Sequence, residues 1–451
     1  MAEIKPFRGV VYDPEKVGDM AKVMAPPYDV ISPDFQDRLY SRHPNNIVRL
    51  ILGKSTPGDA PGNDRYSRAA ADLDKWMSQG VLKRDERPAI YYYTQTYAPE
   101  GGVRLKRKGF IALSMLEDLG KGKIHAHEKT LSGPKADRLK LIEASRANFS
   151  CIFSLYSEHQ FTINKLLEEH VKDKKPVIDV PDDDGVENTV FRIDDPGVIE
   201  KVASIMKDKA LFIADGHHRY ETALNYRNLM REKHPESKGT EAFNYVMMYF
   251  SNMDDEGMTI WPTHRVVHGI EGFSPEEFLR ECGKYFDIEE IEYDASTEYK
   301  AREQFIVKVQ EAGDLYSAMG LHIGGRNSYY VLTLRTSDVM DEVFGSAIPE
   351  VFKDLDVTVL HSLVLDKLLG ITQEAQEKQK NLIYVKSYHE AFKLMEDETN
   401  QLVFLLNPTR IEQVKAVAEA GSVMPQKSTY FYPKLLTGLV MNLHTEEPVT
   451  A

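Results

Sequence analysis

The chain has 451 residues, of which 42% are hydrophobic and 28% are charged, and its formal net charge is −14. This length predicts two domains, and the acidic charge argues against nucleic acid as a partner, because phosphate-backbone binding needs a dense cationic face. Two cysteines are too few for a disulfide framework or a four-cysteine zinc site, and the absence of a long apolar run or a signal-peptide pattern predicts a cytoplasmic protein without a membrane partner.

The first half of the chain mixes helical and strand patterns. Pro26 and Pro27 predict an extended or turn path over residues 24–32. The apolar run 46–53 predicts a buried strand, and apolar spacing predicts a helix over 67–80. Further strands are predicted at 89–97, 107–116 and 151–156, with a glycine hairpin loop between the first two and a helix over 137–150.

The acidic stretch around Asp184 and Gly185 resembles a linker in composition. The Asp-Gly pair lies between two β-rich runs, however, and this pattern is the strongest short signal for a β-hairpin. After residue 267 the unusual polar clusters become rarer, and Ser274 followed by Pro275 predicts the start of a helix. We therefore predict a domain boundary after residue 268, with domains 1–268 and 269–451.

The segment "LFIADGHHRYETAL" predicts a buried strand, a turn and a helix. The turn contains Asp215, Gly216, His217, His218 and Arg219. The first amides of the helix point into the turn, Gly216 allows a ligand to approach closely, and Arg219 can donate two parallel hydrogen bonds to a phosphate. These features predict a phosphate or nucleotide pocket. The alternative is that Asp215 only caps the helix and that the histidines pack.

A second polar cluster lies in "KIHAHEKTLSGPKADRLK". Its first part alternates as a strand does, which places His127 and Lys129 on one face and Glu128 on the other. Lys135 and Arg138 flank a Gly-Pro loop and suit phosphate binding. Glu128 is a candidate general base for a substrate hydroxyl. A surface strand with a charged loop would have the same composition.

Histidines and carboxylates in these two segments also raise the question of a metal. Neither segment has a recognised zinc-binding spacing. A Mg²⁺ ion held by Asp215 and phosphate is more compatible with the neighbouring lysines and arginines.

Two later clusters complete the candidate set. Asp254 lies in an acidic turn, and His264 and Arg265 follow Pro262, so all three are candidates for substrate binding. A proline-bounded loop near the C-terminus supplies candidate phosphate ligands, namely Lys427, Ser428, Thr429 and Lys434. Solvated turns would explain both clusters equally well.

Five segments carry a resemblance to a known family. In chain order they are "PPYDVIS", "HEKTLSGPKADRLKL", "FIADGHHRYETAL", "VMMYFSNMDDEGMTIWPTHR" and "KSTYFYPKLLTGLVM". Together they resemble the bacterial and archaeal family "domain of unknown function 1015" over residues 4–442. The turn "ADGHHR" also resembles the phosphate-binding turn of the ParB/sulfiredoxin superfamily, which includes an ADP-dependent kinase of free serine. The resemblance implies an α+β fold, in which a mixed sheet forms a core of this type and a C-terminal α/β domain completes the site.

The resemblance also implies an activity. It points to phosphoryl transfer between an adenine nucleotide (ADP or ATP) with Mg²⁺ and free serine, or to the reverse formation of serine from phosphoserine. A glutamate on an early strand acts on the serine hydroxyl in that kinase, and Glu128 matches it. Glu128, Asp215 and His218 would then be catalytic, while His217 and Arg219 would help to bind phosphate. Sulfiredoxin has a nucleophilic cysteine in this turn, and its replacement by histidine here argues against sulfinic-acid repair.

Two other classes of function stay open. A non-catalytic nucleotide-binding regulator would resemble the partition proteins that bind CTP and DNA, although the acidic pI and the lack of a basic helix-turn-helix argue against DNA. A metal-dependent phosphate-ester hydrolase predicts stoichiometric zinc and activity without nucleotide. The sequence leaves the exact substrate and the direction of transfer open, and a homo-oligomer is compatible with it.

Overall fold

The structure is a computed structural model that describes residues 3–99, 102–128, 130, 132–344, 349–425 and 427–449. The chain forms two compact units. Unit 1 contains Met1–Ala126, Thr130–Thr259 and Pro433–Ala451, and unit 2 contains His127–Lys129 and Ile260–Tyr432. The predicted domain boundary at residue 268 stays a prediction. The sequence patterns did not predict that the last segment returns to unit 1.

The strands are short to medium in length and occur throughout the chain. They are β1 Ile4–Lys5, β2 Val10–Tyr12, β3 Leu82–Arg84, β4 Ile90–Tyr97, β5 Leu105–Met115, β6 Ile124–His125, β7 Ala147–Asn148, β8 Ile152–Tyr156, β9 Ile178–Pro181, β10 Glu187–Ile193, β11 Leu211–Asp215, β12 Tyr245–Asn252, β13 Thr259–Trp261, β14 His264–His268, β15 Phe286–Glu292, β16 Ala318–Ile323, β17 Ser328–Leu334, β18 Leu382–Val385, β19 Asn400–Leu406, β20 Tyr430–Tyr432 and β21 Asn442–Leu443.

The helices alternate with these strands. They are α1 Pro14–Val17, α2 Pro33–Arg42, α3 Val48–Ile51, α4 Arg65–Ser78, α5 Ser132–Ser145, α6 Thr162–Val171, α7 Pro196–Met206, α8 His217–Lys233, α9 Pro275–Cys282, α10 Glu298–Leu315, α11 Val339–Phe344, α12 Glu350–Lys353, α13 Asp356–Thr358, α14 Gln373–Glu377, α15 Tyr388–Leu394 and α16 Ile411–Glu419, with a π-helix at Val359–Leu368. Within the described ranges, no helix is long and apolar enough to cross a membrane.

Unit 1 is built on a mixed sheet with the strand order β6-β11-β8-β12-β5-β4-β10-β9, and β1 pairs with β5. The pairs β6–β11 and β8–β12 are parallel, and the other pairs are antiparallel. The predicted α+β class with a mixed sheet is therefore confirmed. The hairpin prediction is confirmed too, because β9 pairs with β10 across a turn in which Gly185 has a φ of 76°.

The C-terminal segment is part of unit 1 because its backbone pairs with N-terminal residues. Ala25 and Thr437 each donate an amide hydrogen bond to the other's carbonyl, at 3.2 and 2.8 Å. Val10 and Met441 exchange hydrogen bonds in the same way, at 2.8 and 2.9 Å. These pairings fix the backbone on the C-terminal side of Lys434 within unit 1.

Unit 2 contains an antiparallel sheet with the order β15-β17-β16-β19-β14-β18. Helix α10 packs on one face of this sheet through Phe305, whose ring stacks on Tyr329 with centroids 4.9 Å apart. The predicted helix start at Ser274 is confirmed, since its hydroxyl accepts a hydrogen bond from the Glu277 amide at 3.3 Å.

One predicted strand is wrong. The apolar run 46–53 forms the short helix α3, whose residues Val48 and Leu50 are fully buried. The Asn46 side chain accepts a hydrogen bond from the Val48 amide at 2.9 Å and donates to the Lys22 and Met24 carbonyls. A short apolar run does not distinguish a buried strand from a buried helical turn, and here the Asn46 contacts accompany the turn.

Candidate functional site

The turn between β11 and α8 has the conformation that the sequence predicted. β11 ends at Asp215, Gly216 follows with a φ of 93°, and α8 begins at His217. This φ lies in the left-handed region that glycine adopts readily. In the described part of the chain no side chain caps the N-terminus of α8, so the structure does not support the alternative that Asp215 is a helix cap. The N-terminus of a helix favours anions, so the conformation of this turn is compatible with the predicted phosphate contact.

Asp215 lies between two cationic side chains. Its Oδ2 is 2.7 Å from Arg219 Nη2, and its Oδ1 is 2.7 Å from Lys434 Nζ. Burial by itself raises the pKa of Asp215, but Lys434, Arg219 and His217 outweigh it and hold the pKa well below its usual range. Arg219 also donates to the carbonyl of Cys151. The carboxylate is therefore ionised, and it orients two cations.

A cavity of about 70 Å³ adjoins this network within unit 1. Arg219 lines it together with Arg138 and Tyr28, and the Arg138 guanidinium lies 4.0 Å from the centre of the Tyr28 ring. Arg138 is oriented by hydrogen bonds to the carbonyl of Ile51, at 2.6 Å, and to Asp137, at 2.7 Å. A cavity of this volume has room for several water molecules, so it also has room for a phosphate group.

Lys135 does not line this cavity. Its Nζ is 2.7 Å from Glu221 Oε2, and the Thr130 hydroxyl donates to the other oxygen of Glu221 at 2.7 Å. Lys135 thus pairs with Glu221 in the second turn of α8, and this carboxylate compensates the charge of Lys135. Its predicted phosphate contact stays a prediction.

A second group of predicted residues lies in unit 2. Glu128 Oε1 accepts a hydrogen bond from the Lys427 amide at 3.1 Å, and His127 Nε2 is 3.1 Å from Thr429 Oγ1. Arg265 donates to the Lys427 carbonyl at 3.1 Å. The structure thus brings these residues together although the sequence separates them widely. Ser428 belongs to the same loop and donates to the Pro425 carbonyl, whereas Lys129 lies outside the described residues.

Arg265 is fully buried and has a partner that the sequence did not suggest. Its Nε donates to His361 Nε2 at 3.2 Å, and His361 Nδ1 is 2.7 Å from Gln376 Oε1. An imidazole that accepts at Nε2 must carry its proton on Nδ1 and be neutral. Consistent with this, burial and the nearby Arg265 lower the pKa of His361 to about 3. Burial also lowers the pKa of Arg265 to about 10.

His264 has the environment of a core residue, which does not support its predicted contact with substrate. It is fully buried, its ring stacks on Tyr388 with centroids 4.7 Å apart, and its Nδ1 accepts from the Leu406 amide at 3.2 Å. Burial and Arg265 lower its pKa to about 3. Both faces of β14 are covered, since Arg265 on the opposite face is fully buried as well.

Asp254 does not join the group around Asp215. It accepts a hydrogen bond from Ser157 at 2.8 Å, just beyond the end of β8. Asp215 pairs with Phe153 at the opposite end of that strand. Four residues of extended chain separate the two positions by roughly 13 Å. The two aspartates therefore lie at opposite ends of β8, and the structure does not bring Asp254 to the group around Asp215. The predicted substrate contact of Asp254 stays a prediction.

The metal prediction also finds no donor set. No three histidine, cysteine, aspartate or glutamate side chains in the described part of the chain are grouped so that they could hold a metal ion. Both oxygens of Asp215 face cations, which is not the arrangement of a metal ligand. The described residues therefore contain no preformed three-ligand metal site, and the predicted Mg²⁺ contact of Asp215 stays a prediction.

Residues 4–358 match the family described as "Protein of unknown function (DUF1015)". The chain belongs to this family. The match includes Tyr28, Glu128, Asp215 and Arg219, while Lys434 lies beyond it. No curated protein shows significant similarity to this DUF1015 chain.

Several solved structures resemble this DUF1015 protein at a low level. One is a conserved hypothetical protein from Pyrococcus furiosus, with 16% identity over 69% of this chain and 89% of that one, and a TM-score of 0.31. A free serine kinase in complex with AMP has 14% identity over 70% of this chain and 92% of that one, and a TM-score of 0.30. SbnI with a C-terminal truncation, from Staphylococcus aureus, has 12% identity over 70% and 82% of the two chains, and a TM-score of 0.33. Similarity at this level supports no conclusion about activity.

A cysteine, Cys151, lies beside the turn at Gly216. Cys151 precedes β8, and its carbonyl accepts a hydrogen bond from Arg219. Burial raises the pKa of the Cys151 thiol to about 12, so the thiol stays protonated at neutral pH.

Sequence reasoning missed Tyr28, Glu221 and His361 as neighbours of the predicted site residues. The only sequence signal that could have indicated Tyr28 was its position in the "PPYDVIS" motif. Glu221 lies in the "FIADGHHRYETAL" segment, and His361 lies in the π-helix, where the sequence has no distinctive pattern. The contacts of both residues depend on the packing of the chain.

Proposed function

We propose that this DUF1015 protein is a nucleotide-dependent phosphotransferase and that unit 1 binds phosphate groups of its adenine nucleotide. The observation that carries the proposal is the cavity beside the start of α8, where Arg138 and Arg219 come together with the ring of Tyr28. Guanidinium groups bind phosphate oxygens with paired hydrogen bonds, and helix N-termini favour anions. These are the groups that a phosphate site requires.

The charge network supports the same function. Asp215 holds Arg219 and Lys434 in fixed positions, and the oxygens of an incoming phosphate can take over part of their hydrogen bonding. Phosphoryl transfer depends mainly on positioning and on stabilising charge that develops on oxygen atoms. Cations oriented before the substrate arrives reduce the cost of reorganisation.

The phosphate acceptor in the proposal is the hydroxyl of free serine, which the sequence resemblance implies. The bond between the transferred phosphorus and the nucleotide oxygen breaks, a bond to the serine oxygen forms, and Glu128 takes the hydroxyl proton. The reverse reaction moves the phosphate of phosphoserine to the nucleotide. The role of Glu128 follows from the sequence resemblance.

Calorimetric titration with ADP, AMP and inorganic phosphate tests the phosphate site. We expect Arg219→Ala to weaken ADP binding by about tenfold or more, since a charge-assisted hydrogen bond contributes about 1.5–3 kcal/mol. Arg231→Ala is the matched control, because Arg231 is an exposed arginine of the same helix that does not line the cavity. Equal affinities of the wild type and Arg219→Ala would remove the proposed phosphate site.

Phosphorus NMR tests the reaction. Purified protein with added magnesium is incubated with serine and each of AMP, ADP and ATP, and in parallel with phosphoserine and the same nucleotides. Transfer of phosphate between serine and a nucleotide supports the proposal and gives its direction. Release of inorganic phosphate without nucleotide would replace it with a hydrolase, and binding without any turnover would replace it with a nucleotide-binding regulator.

A further inference from the structure

Unit 2 contains a cavity of about 610 Å³ that none of the predicted site residues lines. The last turn of α10, the end of β17 and the loop from β19 to α16 form its walls. Its lining is rich in charged and polar groups, while the exposed side chains of Leu315 and Tyr316 add apolar surface. A cavity of this size suits a small organic ligand.

A carboxylate that is held in place lies in this cavity. Asp356 Oδ1 accepts a hydrogen bond from the Ala318 amide at 3.1 Å, and Asp356 Oδ2 accepts one from Asn407 Nδ2 at 3.2 Å. Asn407 packs so closely on Gly313 that a Cβ atom added there would lie 2.1 Å from Asn407 Nδ2. The arrangement therefore depends on glycine at position 313, and it orients the Asp356 carboxylate.

A charge of opposite sign lines the same cavity. Arg410 immediately precedes α16 and lines this cavity together with Asp356. Burial raises the pKa of Asp356 overall, and the charge of Arg410 opposes this rise. Among the residues that the structure describes, however, neither Asp356 nor Arg410 forms an ion pair. Two opposite charges thus line one cavity without forming a direct ion pair. A ligand that carries both charges can bridge them.

We propose that this cavity binds a small zwitterion of the α-amino acid class. Its ammonium group donates to Asp356, its carboxylate accepts from Arg410, and its side chain contacts the apolar surface of Leu315 and Tyr316. Charge-assisted hydrogen bonds at both ends give specificity for ligands that carry both groups. This inference does not depend on the proposed phosphotransferase activity.

The ionisation of Asp356 is compatible with this ligand. Burial raises the pKa of Asp356 to about 6, against the opposing effects of Asn407, Ser317 and the Ala318 amide. The carboxylate is therefore ionised at about pH 7.5, where the ammonium group of an amino acid is still protonated.

Calorimetry at about pH 7.5 with each of the common L-amino acids tests the proposal. We expect at least one amino acid to bind, and we expect its N-acetyl derivative and its methyl ester to bind about tenfold more weakly or worse, because each lacks one charge. Asp356→Asn and Arg410→Gln should weaken binding to a similar extent. Asp314→Asn removes an exposed carboxylate from the same cavity lining and should leave the affinity unchanged.

The proposal is overturned if none of the amino acids binds, if the N-acetyl derivative binds as well as the parent compound, or if both variants keep full affinity. Arg410→Gln decides the question if Asp356→Asn does not fold, because Arg410 is exposed and precedes the helix. Arg219→Ala should retain amino acid binding at this cavity even if it loses ADP. Because ADP binding and amino acid binding are measured separately, failure of this proposal can be distinguished from failure of the proposed phosphotransferase.

Discussion

Lys434 Nζ lies 2.7 Å from Asp215 Oδ1, although 219 positions separate the two residues in the chain. The contact joins the end of β11 to the segment that returns to unit 1 after Tyr432. Both side chains are mostly buried, so each depends on the other for compensation of its charge. The C-terminal segment thereby supplies one of the cations beside the predicted phosphate-binding turn.

Lys434→Met should destabilise unit 1 by about 3 kcal/mol at neutral pH, because it leaves the buried Asp215 carboxylate with one cation fewer. The pKa of Asp215 lies below its ordinary value in the folded protein, so this stabilisation is present above about pH 4 and is lost as the pH falls. Urea unfolding should therefore show a larger difference from the wild type at pH 7 than at about pH 3. Lys201→Met, at an exposed position, should have little effect at either pH.

Gly216→Ala should cost about 1–2 kcal/mol from the left-handed backbone and should also displace Arg219. A Cβ atom at this position would lie 2.9 Å from Arg219 Nη2. Gly239 has a φ of 89° and has no atom within 4 Å of an added Cβ, so Gly239→Ala isolates the backbone cost. Thermal unfolding and ADP titration should show that only Gly216→Ala loses affinity. Equal losses of affinity in both variants would contradict the predicted role of Arg219.

Glu128→Gln should reduce turnover by about 100-fold or more while ADP binding is unchanged, because it removes the proposed base. Glutamine retains an oxygen that can accept the hydrogen bond from the Lys427 amide, so the local fold should persist. The phosphorus NMR assay measures turnover, and calorimetry measures binding. Glu200→Gln, at an exposed position in α7, should keep full activity. Undiminished turnover in Glu128→Gln would show that another group acts as the base.

His264→Phe should reduce the loss of stability on acidification. The folded protein keeps His264 neutral down to a pKa of about 3, whereas the unfolded chain binds a proton near pH 6.5. The contribution of neutral His264 to stability is therefore complete above about pH 6.5. It decreases as the pH falls from about 6.5 to about 3, by up to about 1.4 kcal/mol per pH unit for one histidine. Denaturant titrations between about pH 5 and 7 measure this slope. His389→Phe, at an exposed position of the same unit, should leave the slope unchanged.

Asp356→Asn should change the pH dependence of stability in the opposite sense. Burial raises the folded pKa of Asp356 to about 6, so the native state binds the proton more tightly than the unfolded state does. The wild type thus loses stability at this site as the pH rises from about 4 to 6, by roughly 1–2 kcal/mol once solvent screening is considered. The variant lacks this loss, and its Tm relative to the wild type should increase over that range. A constant difference in Tm would contradict the raised pKa.

Local patterns predicted much of the secondary structure. The strand, turn and helix around Gly216 and the hairpin at Asp184 and Gly185 are confirmed because they depend on residues that are neighbours in the chain. The strand prediction for residues 46–53 was wrong because the four-residue helix at this position is too short to show a helical period. Periodicity identifies an element only when the element is long enough to repeat.

The candidate site was predictable in its residue types and only partly in its contacts. The place of Arg219 at the start of a helix predicts a phosphate ligand, and the resemblance to a kinase predicts a role for Glu128; both roles stay predictions. His264 has similar chemistry to its neighbours in sequence, yet its ring packs on Tyr388 in the core. A list of polar residues does not reveal which of them are buried or what they contact.

The sequence by itself determined that a strand, a glycine turn and a helix follow one another around Gly216, and it predicts an anion-binding site there, since glycine, aspartate and the helix start are adjacent. Only the tertiary structure decided that Lys434 neutralises Asp215, that Tyr28 joins Arg138 at one cavity, and that Asp356 and Arg410 line another. The reason is that a single sequence contains the short-range periodicity of helices and strands. Contacts between distant residues depend instead on the order, direction and register of strands in a sheet, which no local pattern specifies.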